Sequence, residues 1–284
     1  MSQNRRSFIA TIGAATAAIA ASGRAANAAW SLPEVARKKL DRVGIQLYTL
    51  RDLAAKDLGG TLSQLAKIGY KEVEMAGYYN HSATEVRDLL KANGLTAPSA
   101  HIALEQLESA LPKTLADAKT IGHKFITVPF LAGKHDTVEQ WKGIAAQFNK
   151  LAAQVKAAGF RFAYHNHNFE FKKAGDAVPL DILFKETDPA LVSFEMDIYW
   201  VVNAGANPLD ILARHPGRIK MLHVKDSMGA PDNKMADVGA GTIDFKTIFA
   251  QAKGIEHYFV EHDQPTDAIA SAAASYKYLA NLNF

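Results

Sequence analysis

The residues of this 284-residue chain best suited to chemistry end four short apolar runs in its second half. They read Tyr164-His165-Asn166-His167, Glu195-Met196-Asp197, His223-Val224-Lys225-Asp226 and Glu261-His262-Asp263. Imidazole and carboxylate donors without any cysteine sulfur suit one divalent ion, Mn²⁺, Co²⁺, Zn²⁺ or Fe²⁺. If the runs are strands, side chains two apart share a face. His165 then points with His167, Glu195 with Asp197, His223 with Lys225, and Glu261 with Asp263. One inward residue per strand gives His165, Asp197, His223 and Glu261 as the metal set.

Four ligands so far apart need a scaffold that gathers strand ends. Short β-rich runs alternate with helical patterns from Val43 onward, the mark of βα units and a parallel sheet. The strands are expected at Val43–Tyr48, Glu72–Ala76, Leu95–His101, Phe125–Pro129, Arg161–His165, Val192–Asp197, Ile219–Val224 and Tyr258–Glu261. Pro98 lacks a ladder donor, which argues for a third strand starting after it, at Ser99. Gly69, Gly94, Gly122 and Gly159 each stand between a helical pattern and the next strand. The longest helix is expected from about Thr137 to Ala158, with Trp141, Ile144, Phe148, Leu151 and Val155 on one face. Eight such units predict a (β/α)₈ TIM barrel, whose C-terminal strand ends converge on one mouth. His101, His165, His167, His223 and His262 are expected at that rim, whereas His81, His123, His135, His215 and His257 read as surface residues. Gly239-Ala240-Gly241 reads as a flexible loop at the same mouth.

In the order of these motifs the chain resembles the xylose isomerase-like barrel superfamily, the sugar phosphate isomerase/epimerase group. Phe194-Glu195-Met196-Asp197, Met221-Leu222-His223-Val224-Lys225-Asp226 and Phe259-Val260-Glu261-His262-Asp263 carry the resemblance, with Gly44-Ile45-Gln46-Leu47-Tyr48 and Val73-Glu74-Met75-Ala76-Gly77. The resemblance implies metal ligands Glu, Asp, His and Glu after strands five to eight. This chain departs at strand five, where His165-Asn166-His167 stands for Glu-Asn-His, so His165 replaces a glutamate that often works as one of an acid/base pair. Glu170 would substitute in part if its loop folds back.

The chemistry implied is removal of a proton next to a carbonyl, with the metal stabilising the enediolate. Glu261 or His167 is the candidate base, and Glu74 and Lys225 are expected near the substrate oxygens. Gln46, His101, Glu170 and Trp200 are the candidates to touch a small carbohydrate. A sugar isomerase or epimerase is the first reading. A lyase opening 3-keto-glycosides by the same enolate chemistry is the second, and a non-catalytic periplasmic sugar-binding barrel the third.

Residues 1–28 carry Asn4-Arg5-Arg6-Ser7-Phe8-Ile9, an Ala-rich stretch and Ala26-Asn27-Ala28, the pattern of a twin-arginine export signal with a cleavage site. That expects the export machinery as a partner, a periplasmic destination and a barrel over 29–284. The stretch is too short and too often interrupted for a stable membrane anchor. Without Arg5, Arg6 and Arg24 the 32 basic residues fall to 29, matching the 29 acidic ones, so no nucleic-acid partner is expected. An oligomer is compatible with this composition.

Overall fold

Helix starts follow local side-chain chemistry. Ser82 caps the helix Ala83–Ala92 together with Glu85, and Thr137 caps Val138–Ala157 together with Gln140. Each pair satisfies amides that the first turn leaves without partners. The helix Leu104–Ile121 stops at Gly122, whose φ of 97° lets its amide turn back to Ala118 O.

The computed structural model describes residues 38–284. Its strands are β1 (Gly44–Gln46), β2 (Glu72–Met75), β3 (Thr96–His101), β4 (Phe125–Val128), β5 (Arg161–His165), β6 (Val192–Asp197), β7 (Ile219–Val224), the short β8 (Asp226–Ser227) and β9 (Met235–Ala236), and β10 (His257–Val260). All but β8 and β9 form a closed parallel barrel in the order β1-β10-β7-β6-β5-β4-β3-β2, as the alternation predicts. β8 and β9 pair antiparallel just beyond the end of β7. No helix among the described residues is long and apolar enough to cross a membrane. The segment read as an export signal, 1–28, lies outside the described residues.

Pro98 sits inside β3, contrary to a start at Ser99. Glu72 pairs with Thr96 and Glu74 with Ser99, so β3 uses three residues where β2 uses two. This bulge relieves Pro98 of a ladder bond it could not donate, while its carbonyl accepts from Lys124 N at 2.7 Å.

Strand alternation sorts the side chains into two cores. Outward residues such as Ile126, Phe162, Tyr164, Met196 and Leu222 pack under the helices, where Phe148 lies 5.1 Å from the Tyr164 ring. Inside the barrel, Phe125, Ala163, Met221 and Phe259 form a separate apolar plug. Ala163, Met221 and Phe259 come two residues before His165, His223 and Glu261, so the plug is the floor on which those groups stand.

Two histidines expected at the surface are buried. His257 Nδ1 lies 2.7 Å from Glu72 Oε2 below the plug, and His123 Nδ1 lies 2.6 Å from Ala97 O. Both stand next to a strand start, where the closed ring covers residues that look like loop in sequence.

Candidate metal centre and acid/base site

β6 and β7 supply the centre of the site. Asp197 ends β6 and caps the helix Ile198–Asn203, its Oδ1 accepting from Trp200 N at 2.9 Å. His223, on β7, stands between two carboxylates: Nε2 is 2.7 Å from Glu74 Oε2 and Nδ1 is 2.8 Å from Glu261 Oε2. Burial would lower its pKa, but Glu195 and Glu261 outweigh burial and hold this imidazole well above its ordinary value. His101 lies 2.8 Å from Glu195 Oε2 and 3.1 Å from Glu74 Oε2. The same contest, burial against Glu74 and Glu195, leaves it raised to about 9. His165 goes the other way: burial and the neighbouring His223 keep it well below the usual range, so it is neutral and ready to bind metal.

His165, Asp197, His223 and Glu261 each present one donor atom, all within 4.8 Å of one another. A second set, His101, His165, Glu195 and His223, overlaps it. Glu195 is absent from the candidates read from sequence, although its position two before Asp197 already put it on the inward face. Both sets fit a cation. Glu195 Oε1 and Asp197 Oδ2 are buried without a hydrogen bond, the latter 3.1 Å from the Lys225 ammonium and 3.8 Å from His165 Nε2. Glu74, Glu195, Asp197 and Glu261 are four buried carboxylates facing three basic groups, Lys225, His101 and His223, so the acids outnumber the bases and a cation would complete the balance.

Several expected substrate contacts have other work. Lys225 Nζ lies 2.8 Å from Glu261 Oε2, 2.8 Å from Asp263 Oδ1 and 3.1 Å from Asp197 Oδ2, so its ammonium is already paired with three carboxylates. Burial would lower its pKa; Asp197 and Glu261 raise it well above the ordinary lysine value. Glu74 is fully buried and accepts from Gln46 Nε2 at 2.7 Å and Ser99 Oγ at 2.5 Å, as well as facing His223. Gln46 is likewise buried. Glu170 is buried behind β5, accepting from the Tyr164 hydroxyl and from His167 N at 2.9 Å, and burial pushes it up to about 7. It braces the turn that carries His167 and does not enter the mouth. His262 lies apart from both donor sets; its Nδ1 accepts from Gln264 N.

His167 and Trp200 keep unused polar atoms at the mouth. Their rings are 5.5 Å apart, and His167 lies 5.0 Å from His165. His167 Nδ1 and Trp200 Nε1 are both buried without a partner. Burial and Lys225 press His167 down to about 3, so it is neutral near pH 7, with Nδ1 engaged by no protein group.

The Gly239-Ala240-Gly241 segment is pinned, contrary to a flexible loop. Asp226 Oδ2 accepts from Gly239 N at 2.9 Å and Gly241 N at 3.1 Å, and Oδ1 accepts from Ser227 N and Ile243 N. A Cβ on Gly241 would lie 2.3 Å from Asp226 Oδ1, so only glycine lets this carboxylate approach.

Known proteins are similar to this chain in sequence and fold. An inosose dehydratase from Clostridium beijerinckii is 26% identical over 225 residues, 66% of this chain and 75% of that one. The inosose dehydratase of Geobacillus thermodenitrificans is 25% identical over 260 residues, 76% and 87% of the two chains. A crystal structure of a sugar phosphate isomerase/epimerase from Parabacteroides distasonis, 28% identical, superposes with a TM-score of 0.76 over 84% of this chain and 98% of that one. Residues 62–281 match the family model described as xylose isomerase-like TIM barrel, and the chain belongs to that family.

Proposed function

We propose that this chain is a metal-dependent lyase that removes a proton next to the carbonyl of a keto-sugar and expels an oxygen substituent from the neighbouring carbon. The observation that carries the reading is His167, neutral, with a buried unpartnered nitrogen 5.0 Å from the His165 ring of the donor set. A divalent cation held by His165, Asp197, His223 and Glu261 would supply a Lewis acid that polarises a ketone and its adjacent hydroxyl. His167 Nδ1 accepts the carbon-bound proton and returns it to the departing oxygen, so one group serves both halves of an elimination. Trp200 Nε1 donates a hydrogen bond to a substrate oxygen. Lys225 holds Asp197 and Glu261 in place, and Glu74 holds His223; both are positioning residues.

Elimination is favoured over isomerisation or epimerisation at β5. His165 stands where the resemblance implies a glutamate, so a second acid/base carboxylate facing Glu261 is missing from the strand that would carry it. The dehydratase relatives support the same choice. Isomerisation shares the first proton transfer and is the second reading, supported by the name of the Parabacteroides structure. A binding-only barrel would have little use for an unpartnered base beside a complete donor set.

The test is incubation of metal-loaded protein with 3-keto-glycosides and free keto-sugars in D₂O. Release of alcohol or water with formation of an unsaturated keto-sugar supports the lyase, and deuterium uptake into a rearranged sugar supports the isomerase. Saturable binding with neither release of a substituent nor deuterium uptake would overturn both. We also propose that the chemistry takes place in the periplasm after twin-arginine export; the reading of residues 1–28 supports this, and cell fractionation with and without Arg5→Lys and Arg6→Lys tests it.

A further inference from the structure

Large apolar side chains are exposed at one end of the molecule only, among the described residues. They are Tyr48, Leu53, Phe130 and Met228, which follow the C-terminal ends of β1, β4 and β7. Scattered exposed apolar groups are ordinary, and these four are spread around the rim. Phe130, at 51% exposure, is the part of this rim that touches the proposed base. Its ring meets His167 edge-on at 5.4 Å and Phe169 at 5.3 Å. Phe169 in turn stacks on His167 at 5.8 Å and lies over Trp141 at 6.4 Å.

Phe130 and Phe169, which touch His167, also line a cleft together with Trp141. Phe130, Trp141 and Phe169 form its apolar walls, Lys134, Lys172 and Lys173 its cationic rim, and Asp136 contributes one acid. Its volume is about 190 Å³. A cavity of roughly 150 Å³ holds benzene, so the space suits one aromatic ring. Edge and face contacts with Phe130, Phe169 and Trp141 are the geometry aromatic groups prefer. None of the three lysines pairs with a carboxylate among the described residues, which leaves the rim attractive to an anionic substituent. A sugar whose carbonyl reaches the donor set, with its C–H at His167, would direct the substituent on its next carbon toward Phe130.

We infer that this cleft is a subsite for an aryl group, so that the substrate is a keto-sugar bearing an aryloxy substituent, with preference for a ring carrying an acidic group. The inference rests on the lyase reading and deepens it. His167 takes the proton next to the carbonyl, a C=C bond forms as the C–O bond to the aryl group breaks, and that proton leaves with the aryl alcohol. No oxidant or further reactant is consumed.

Binding separates this inference from the chemistry. Unoxidised phenyl β-glucoside, 4-carboxyphenyl β-glucoside and methyl β-glucoside are titrated calorimetrically into metal-loaded protein. The phenyl compound should bind at least tenfold more tightly than the methyl compound, and the 4-carboxyphenyl compound at least threefold more tightly again. Phe130→Ala should collapse the first ratio and Lys172→Ala with Lys173→Ala the second, while circular dichroism checks that each variant is folded. Equal affinity for phenyl and methyl glucosides, or a ratio that Phe130→Ala leaves intact, overturns the subsite. Loss of dimer on Phe130→Ala in sedimentation, with no aryl preference in the wild type, also overturns it by making the rim a contact between copies. Aryl preference in a protein that releases no aryl alcohol from keto-glycosides would uphold the subsite and refute the lyase.

Discussion

Lys225→Met removes the one ammonium from a buried group of carboxylates while keeping a side chain of similar length. Asp197, Glu261 and Asp263 all lie within 3.1 Å of that nitrogen, and the lysine is 1% exposed. Removing one partner of a buried ion pair costs about 3–5 kcal/mol, because the remaining charge is left uncompensated. For a domain of this size each kcal/mol moves the melting temperature by about 2–4 °C, so metal-free protein should melt about 6–20 °C lower. The pH dependence follows from the directions of the shifts. A lysine raised on folding contributes fully below its unfolded pKa, about 10.4, and loses that contribution only as pH rises through the higher folded value. The loss in the variant is therefore fully expressed at pH 8. Burial and Glu261 carry Asp197 up to about 6 against the pull of Lys225 and His223, so at pH 5 Asp197 is largely protonated and the ammonium has less to neutralise. The variant should accordingly lose more stability at pH 8 than at pH 5, and added Mn²⁺ or Zn²⁺ should recover part of it. Thermal unfolding by circular dichroism in EDTA, with and without added metal, measures this. A fall of under about 2 °C at pH 8 would refute the idea that this lysine is an internal counter-ion of Asp197, Glu261 and Asp263.

Three further outcomes are expected. Asp197→Ala and His223→Ala should each purify with less than a tenth of the wild-type metal content and show no turnover; elemental analysis beside the D₂O assay tests this, and wild-type turnover in either would sink the site. Glu170, raised to about 7 by burial from about 4.3 unfolded, contributes stability below pH 4.3 that is lost as pH rises through 7. The melting-temperature advantage of wild type over Glu170→Gln should therefore shrink between pH 4.5 and 7.5, and a constant difference would mean the carboxyl is already ionised. Gly241→Ala drives a Cβ to 2.3 Å from Asp226 Oδ1 and 2.4 Å from Ser227 O, and such overpacking costs about 1–3 kcal/mol in denaturant unfolding; an unchanged midpoint would show that the loop yields freely.

The barrel could be read because its signals are local. A strand that shows one face to the plug and the other to helices alternates, and Ser82 or Thr137 with the partner three residues on announces a helix start. The same alternation listed His165, Asp197, His223 and Glu261, which the fold brings within 4.8 Å. Partners were harder to read. Glu195 was visible by its parity yet gained meaning only once β3 delivered His101 beside it. Pro98 counted against its strand because a bulge depends on the neighbouring strand's register. His123 and His257 resembled loop residues because burial at a strand start comes from closure of the ring. Asp226 adjoins Lys225 in the chain, but alternation turns it away to bind the loop that carries Gly239 and Gly241.

By itself, the amino-acid order determined the eight-fold alternation, the inward identity of each strand end and a sulfur-free donor set suited to a divalent cation. Closure of the barrel decided which of those groups are already engaged and which stay open. It joins β1 to β10 and carries Glu74 onto His223 across 149 residues of chain, leaving His167 Nδ1 as an unoccupied nitrogen. The physical reason is range. Side-chain direction is set by a two-residue period, whereas ionisation and pairing depend on every charge within a few ångströms, whatever its distance in sequence.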